Sequence, residues 1–408
     1  CELYPQRCDF YLVFLAFVAV LLRLYLAPHT MFEGDVAAWR DDAYQMMVKG
    51  RLFNFYHSTI YAYPPVWSWF IALAYVLHPT LNYKDEIFLT LIKFPMILSD
   101  LAIGFLTYLF ISQRFGKTKG LLASAAWLFN PHVIYIGSMW GMNDSLCVVF
   151  IVASLYLLAK KRLSSSAFML GLAVSTKQYA ILVVPFLALA VLKKYNFKKS
   201  LMFFSIPFMV LALVSIPYLI YDREAYINQV LYGVGEQQLE IRQKSGNFWY
   251  CIKSIFIGSS SFYAFFVKYQ YPIFFGLYVI FLIVFNMFTH KIDDRILNNA
   301  ILIPTLVFLV FNPVVHTQYY VLFIPFAIIA SFYKQLKVLW CTVTILPFYS
   351  FFSIGVWVDR AEAALYQTIV WLDNVFGTPI CDNLRLIRFA LFFALSTLLI
   401  SLYLKRQK

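Results

Sequence analysis

The chain has 408 residues, 62% of them hydrophobic and 13% charged, with a formal net charge of +13. A soluble domain exposes too much surface to be so apolar, and apolar runs recur along the whole length, which points to a polytopic all-α membrane protein. The basic residues gather at the ends of these runs, as orientation against anionic lipid requires, and this argues against nucleic acid as a partner.

Residues 8–27 form a first apolar run of about 20 residues, long enough to span a bilayer and expected to be a retained helix rather than a cleaved signal. Residues 28–86 alternate polar and aromatic stretches. Within them Val36 to Lys49 has helical spacing, with Trp39, Ala43, Met46 and Met47 on one side, and predicts an amphipathic helix lying at the membrane interface. Tyr63-Pro64-Pro65 breaks the chain before a short apolar stretch at 66–77. Tyr56, Tyr61, Tyr63, Trp67 and Trp69 suit an interfacial aromatic belt.

Spans are then expected at 87–111, 119–137, 144–160, 200–220, 269–288, 297–313, 316–333, 338–355 and 384–404. Basic clusters fall on one side throughout if 167–192 enters and returns as two half-helices broken near Thr176-Lys177-Gln178; the alternative is a single span that violates the charge rule. With both termini cytoplasmic, the outside segments are 28–86, 135–144, 221–268, 312–317 and 356–383, and these carry most of the unusual polar residues. The packed runs are read as one integral membrane domain over 1–408, with 28–86 the first outside loop and 221–268 a long outside loop. Of the six cysteines, Cys147 and Cys341 read as core residues, while Cys251 and Cys381 lie in outside loops where a pairing is open.

Six stretches carry candidate chemistry. Asp35, in Phe32-Glu33-Gly34-Asp35, is either a cap for a helix starting near Val36 or a carboxylate perturbed by apolar surroundings. Glu33 is either an acid–base group or a solvated charge. Tyr63-Pro64-Pro65 reads locally as a rigid turn. Asn143 and Asp144 either cap the helix that starts there or bind sugar hydroxyls. Lys177 lies within an apolar stretch and needs a partner there, a phosphate or a structural carboxylate. In the long outside loop, Arg242, Lys244, Asn247 and Trp249 combine cations with an aromatic ring, a set suited to a phosphate and a sugar face, or else a solvated loop. His316, followed by Gln318, stands at the expected start of a helix, where a His can donate to a phosphate oxygen or simply anchor the chain. No metalloprotease, nucleotide-binding or serine-hydrolase signature appears.

Together these pieces resemble the GT-C glycosyltransferase superfamily, especially the dolichyl-phosphate-glucose-dependent glucosyltransferases of N-glycan precursor assembly. Gly34-Asp35 through Arg40 is similar to that family's Gly-Asp-x-Glu-Ala-Gln-Arg segment, and Tyr63-Pro64-Pro65 to its Tyr-Pro-Pro. Lys177-Gln178 with Pro185 resembles its Lys-Gln helix; Asp222-Arg223-Glu224, Asn247-Phe248-Trp249 and Val315-His316 resemble its later motifs. Gln318-Tyr319 is also similar to the first mannosyltransferase of GPI-anchor synthesis. The family's Glu is Ala37 here and its Gln is Trp39, and Thr317-Gln318 replace Glu-Lys, so donor and acceptor are left open.

The resemblance implies a GT-C fold of about 10–12 transmembrane or re-entrant helices, with interfacial helices in the first outside loop. It implies transfer of a glucose or mannose, with inversion, from a polyprenyl- or dolichyl-phosphate donor to a hydroxyl of a lipid-linked or other glycan. The site would face the outer or luminal side of a plasma or ER membrane. Asp35 would be the base; His316, Arg242, Lys244 and Lys177 would meet the donor phosphate; Glu33, Arg40, Asn143, Asp144, Asn247, Trp249 and Gln318 would contact sugar or acceptor. No cofactor is expected, a divalent ion staying an open alternative. A transporter or lipid flippase, or a non-catalytic GT-C scaffold, are the rival readings.

Overall fold

The computed structural model describes residues 5–232 and 260–333, and every regular element among them is helical. The helices are α1 (Pro5–Leu26), α2 (Glu33–Met47), α3 (Val66–Leu77), α4 (Glu86–Phe115), α5 (Lys117–Leu128), α6 (Pro131–Ile134), α7 (Asp144–Ala159) and α8 (Leu163–Val174). They continue with α9 (Val183–Lys194), α10 (Phe197–Tyr221), α11 (Arg223–Ile227), α12 (Ser260–Phe288), α13 (Asp294–Phe311) and α14 (Ile324–Phe332). Among the described residues, five segments are long and apolar enough to cross a membrane: Phe10–His29, Glu86–Phe115, Phe197–Tyr221, Lys268–Phe288 and Asp294–Phe311. The expected spans at 338–355 and 384–404, and the cysteines Cys251, Cys341 and Cys381, lie outside the described residues.

The described residues fall into two compact units. In the first, residues 5–181 and 202–232, α4 packs along α5 and α7, α7 along α8, α1 along α5, and α2 against α3. In the second, residues 182–201 and 260–333, α13 packs against α9, α12 and α14.

Local sequence explains where these helices start and stop. Asp85 precedes α4 and its Oδ1 accepts from the backbone N–H of Ile87 and Phe88, both at 3.0 Å. Asp293 caps α13 in the same way through Ile296 N–H at 2.8 Å. Helices pack closely where side chains are small: a Cβ on Gly104 of α4 would lie 2.8 Å from Leu128 of α5, so only glycine permits this approach.

Four expectations are corrected. The run 119–137 is not one helix: α5 ends at Leu128, Asn130 caps a new turn by accepting from His132 and Val133 N–H, and Pro131 occupies its first position. A π-helical stretch, Tyr135–Trp140, follows. The run 316–333 is a 3₁₀ segment, Thr317–Leu322, followed by the short α14, so His316 precedes a 3₁₀ turn rather than an α-helix. The apolar side of α2 does not lie on lipid: Val36, Trp39, Ala43 and Met46 are buried in protein, Trp39 meets Trp67 of α3 edge-on, and Met47 is exposed. Likewise Tyr56, Tyr61 and Trp67 are buried rather than forming an interfacial belt. The break in 167–192 is where the sequence reading places it. α8 and α9 have 12 residues each, separated by Ser175–Lys177 and a 3₁₀ turn over Gln178–Leu182. Each is about 18 Å long, short of the roughly 30 Å hydrocarbon core.

Candidate active site

Asp35 is not a cap. The helix begins at Glu33 with Phe32 in the cap position, and Asp35 sits inside the first turn. Its Oδ2 accepts the indole N–H of Trp140, 105 residues away, at 2.7 Å. Trp140 is held in turn against Phe32, with ring centroids 4.7 Å apart and the rings tilted by 36°, and edge-on against Tyr135. Burial raises the Asp35 pKa; the Trp140 hydrogen bond and the nearby Lys177 charge pull it back, and Asp144 adds to the rise. Asp35 nevertheless keeps part of its surface accessible. This combination of desolvation and access suits a proton acceptor.

Glu33, two residues earlier, faces another way. Its side chain is half exposed, accepts from Tyr83 Oη and lies 3.5 Å from Lys84 Nζ. Arg40 pairs with its neighbour Asp41 at 2.9 Å. Neither residue is brought to Asp35 by these contacts. Asp42, on the buried side of α2, is the fourth acid of this helix; burial pushes its pKa up to about 8 against a hydrogen bond from Thr59. It sits beside Tyr61 and Tyr56 in a cluster of buried tyrosines.

Lys177 has found a carboxylate. Its Nζ lies 2.8 Å from Asp144 Oδ2, and Asp144 Oδ1 accepts from Tyr179 Oη at 2.9 Å. Both charged side chains are buried, and the ammonium also lies 5.1 Å from the Tyr63 ring centroid. Of the two partners the sequence left open, the structural carboxylate is the one present. Gln178 donates to the carbonyls of Ala62 and Val230, and Val66 N–H donates to Ser175 O. The break after α8 thereby grips the Tyr63-Pro64-Pro65 turn, which Tyr56 and Tyr61 also hold through the carbonyls of Tyr63 and Pro64.

Asn143 occupies the cap position of α7 without making a cap bond. Its side chain is fully buried, and among the described residues neither its Oδ1 nor its Nδ2 has a hydrogen-bond partner. An amide left so has its full bonding capacity for a ligand or water. His316 and Gln318 belong to the second unit, where His316 meets the Tyr319 ring edge-on and Gln318 is buried. Arg242, Lys244, Asn247 and Trp249 lie outside the described residues. Among the described residues no group of His, Cys, Asp and Glu side chains is placed to hold a metal ion.

Sequence reasoning missed three participants. Trp140 lies three residues before Asn143, and nothing local signals a bond to Asp35. Tyr179 completes the Asp144 pair. Lys93 is buried within α4, where a charge in an apolar run was the available signal.

The family described as "ALG3 protein" matches residues 100–235, a stretch that contains Trp140, Asn143, Asp144 and Lys177 and begins after Asp35. GPI mannosyltransferase 1 of Debaryomyces hansenii is 33% identical over 100 residues, 23% of this chain and 24% of that protein. GPI mannosyltransferase 1 of Dictyostelium discoideum is 27% identical over 144 residues, 35% of this chain and 30% of that protein. The match thus spans less than a third of either relative. Among solved structures, ArnT from Cupriavidus metallidurans bound to undecaprenyl phosphate superposes with a TM-score of 0.55 at 12% identity, covering 98% of this chain and 78% of that one. Its apo state gives 0.54 at 13% identity. The likeness is one of fold.

Proposed function

We propose that this chain, which carries the GT-C membrane fold, is an inverting hexosyltransferase of the mannosyltransferase kind. Its donor is a polyprenyl- or dolichyl-phosphate hexose, and its acceptor a hydroxyl of a lipid-linked or other glycan on the outer or luminal face. The observation that carries this reading is Asp35: desolvated, still accessible, and oriented by one neutral donor, Trp140. The sequence relatives named as mannosyltransferases support mannose over glucose.

In the proposed reaction the acceptor O–H gives its proton to Asp35 as the oxygen forms a bond to the anomeric carbon. The bond from that carbon to the phosphate oxygen breaks in the same step, and the lipid phosphate leaves with the electron pair. A carboxylate whose pKa is raised by burial is a stronger base toward a hydroxyl than an exposed one. Because Asp35 must be ionised to act, activity falls as pH drops through its raised pKa. Asn143, buried and unpartnered, is assigned to a sugar or acceptor hydroxyl. Lys177 is already neutralised by Asp144, so its role is to shape the site; the family resemblance alone assigns His316, Arg242 and Lys244 to the donor phosphate. Asp144 acts with Lys177; the family resemblance assigns Arg40, Gln318, Asn247 and Trp249 to sugar or acceptor, whereas Glu33, exposed and engaged by Tyr83 and Lys84, is given no role in the transfer.

The test is transfer by the purified protein in lipid nanodiscs, supplied in turn with polyprenyl-phosphate mannose, glucose and other hexoses and with short glycan acceptors. Product of added-hexose mass from a mannose donor is expected. Donor hydrolysis or transport without any transfer product would overturn the reading.

A further inference from the structure

Lys93 lies in the first third of α4, fully buried, and no carboxylate pairs with it among the contacts of the described residues. Its ammonium instead donates to three backbone carbonyls: Ala27 O at 2.8 Å, Thr30 O, and Met139 O at 3.0 Å. Three donors thus meet three acceptors, which satisfies a buried ammonium without a counter-ion. The three carbonyls come from two segments far apart in sequence. Ala27 opens the 3₁₀ turn Ala27–His29 that joins α1 to α2, and Thr30, which follows it, lies five residues ahead of Asp35. Met139 immediately precedes Trp140.

The lysine stem also lies close to Gly141, the residue that follows Trp140. Gly141 adopts φ +94°, and a Cβ there would lie 3.1 Å from Lys93 Cε and 3.2 Å from its Cγ. A side chain at 141 would therefore be strained by its backbone and would strike Lys93. The residues before and after Trp140 thus both lie against one lysine, which bonds the first and approaches the second, and the same lysine grips the chain that leads into Asp35.

We propose that Lys93 is a positioning residue for the Asp35–Trp140 pair, fixing the two segments that meet in this hydrogen bond. The proposal rests on the reading of Asp35 as the base of a glycosyltransferase. Lys93 touches neither Asp35 nor the reacting atoms; it acts through the backbone. A lysine that merely plugged the fold would tie down elements without regard to Asp35, and its loss would lower stability alone. A positioning lysine has a second consequence: losing it frees Trp140 from Oδ2.

The readout is the titration of Asp35. Trp140 favours the carboxylate, and the two charges acting on Asp35, Lys177 in its favour and Asp144 against it, are untouched by changes at Lys93. Lys93→Met should therefore move the acid limb of kcat to higher pH, toward that of Trp140→Phe. The expected shift is about one to two pH units, the worth of a hydrogen bond to an ionised group. Lys93→Met/Trp140→Phe should shift no further than Trp140→Phe alone. The same titration is followed without turnover by labelling Asp35 with a hydrophobic carbodiimide across pH and reading the peptide by mass. Shifted labelling with no transfer to any acceptor would uphold Lys93 and sink the glycosyltransferase reading. An unshifted titration in a folded Lys93→Met protein, or additive shifts in the double variant, would overturn the proposal. Should Lys93→Met not fold, Lys93→Gln keeps N–H donors for part of the carbonyl set and carries the same test, with a smaller shift expected and none overturning it.

Discussion

Asp35 and Asp144 are two carboxylates of one unit, close enough to influence each other's charge, and the protein treats them in opposite ways. Asp144 is fully buried and has both oxygens engaged, one by the Lys177 ammonium and one by the Tyr179 hydroxyl. Asp35 keeps access and has one neutral indole donor on one oxygen. A carboxylate neutralised by an ammonium is a poor base and a good structural joint. One desolvated without a counter-ion is poised to take a proton. The difference separates an acid that holds the break after α8 from an acid that can react.

Three changes sharpen or break this contrast. The largest effect is expected on removing the ammonium. Lys177→Met leaves Asp144 buried and uncompensated, at a cost of about 3–5 kcal/mol, seen as a large fall in thermal midpoint or yield in detergent. Adding Asp144→Leu to that variant should restore most of the loss. Equal stability of Lys177→Met and the native protein would show that the ion pair is not the joint described.

A middle effect is expected at Trp140. Burial raises the Asp35 pKa and Trp140 lowers it, so removing the indole N–H raises it further. Trp140→Phe should then lose activity first at acid pH and retain it at high pH, with the acid limb of kcat displaced upward. A downward displacement would contradict the assigned sign. The smallest effect is expected at Glu33, whose exposed pair with Lys84 is worth under about 1 kcal/mol. Glu33→Gln should leave kcat and KM within about twofold; a loss like that of an Asp35 change would move the base two residues upstream.

Much of the fold could be read from residues that punctuate the chain. Pro64-Pro65 ahead of 66–77 and Lys177-Gln178 inside an apolar run mark a helix start and a break, both found in place. Asn130-Pro131 carries the same kind of signal, but lies within a run apolar enough to pass for one span. The start of α2 is expected near Val36 because Asp35 reads as a cap, whereas the helix begins at Glu33 and Asp35 lies within its first turn. The tyrosines after it suggested a lipid belt because amphipathic side chains suit a membrane interface and a tightly packed interior alike.

Of the site, Asp35 was legible as a carboxylate among apolar neighbours, but its partner was not. An indole 105 residues away leaves no periodicity and no charge pattern to follow. Lys93 shows in the sequence as a charge in an apolar run, but its partners do not: a lysine satisfied by carbonyls has no complementary residue type to search for. Lys177 needed a counter-charge and the sequence offered several; only packing of α7 against α8 selects Asp144.

The central claim is that Asp35 accepts the proton in a sugar transfer, and Asp35→Asn tests it most directly, because asparagine preserves shape and removes the base. Single-turnover transfer from polyprenyl-phosphate mannose should fall by about 10²–10⁴-fold, while binding of the same donor, measured separately by titration, stays within about twofold. Near-native transfer by Asp35→Asn would contradict the account.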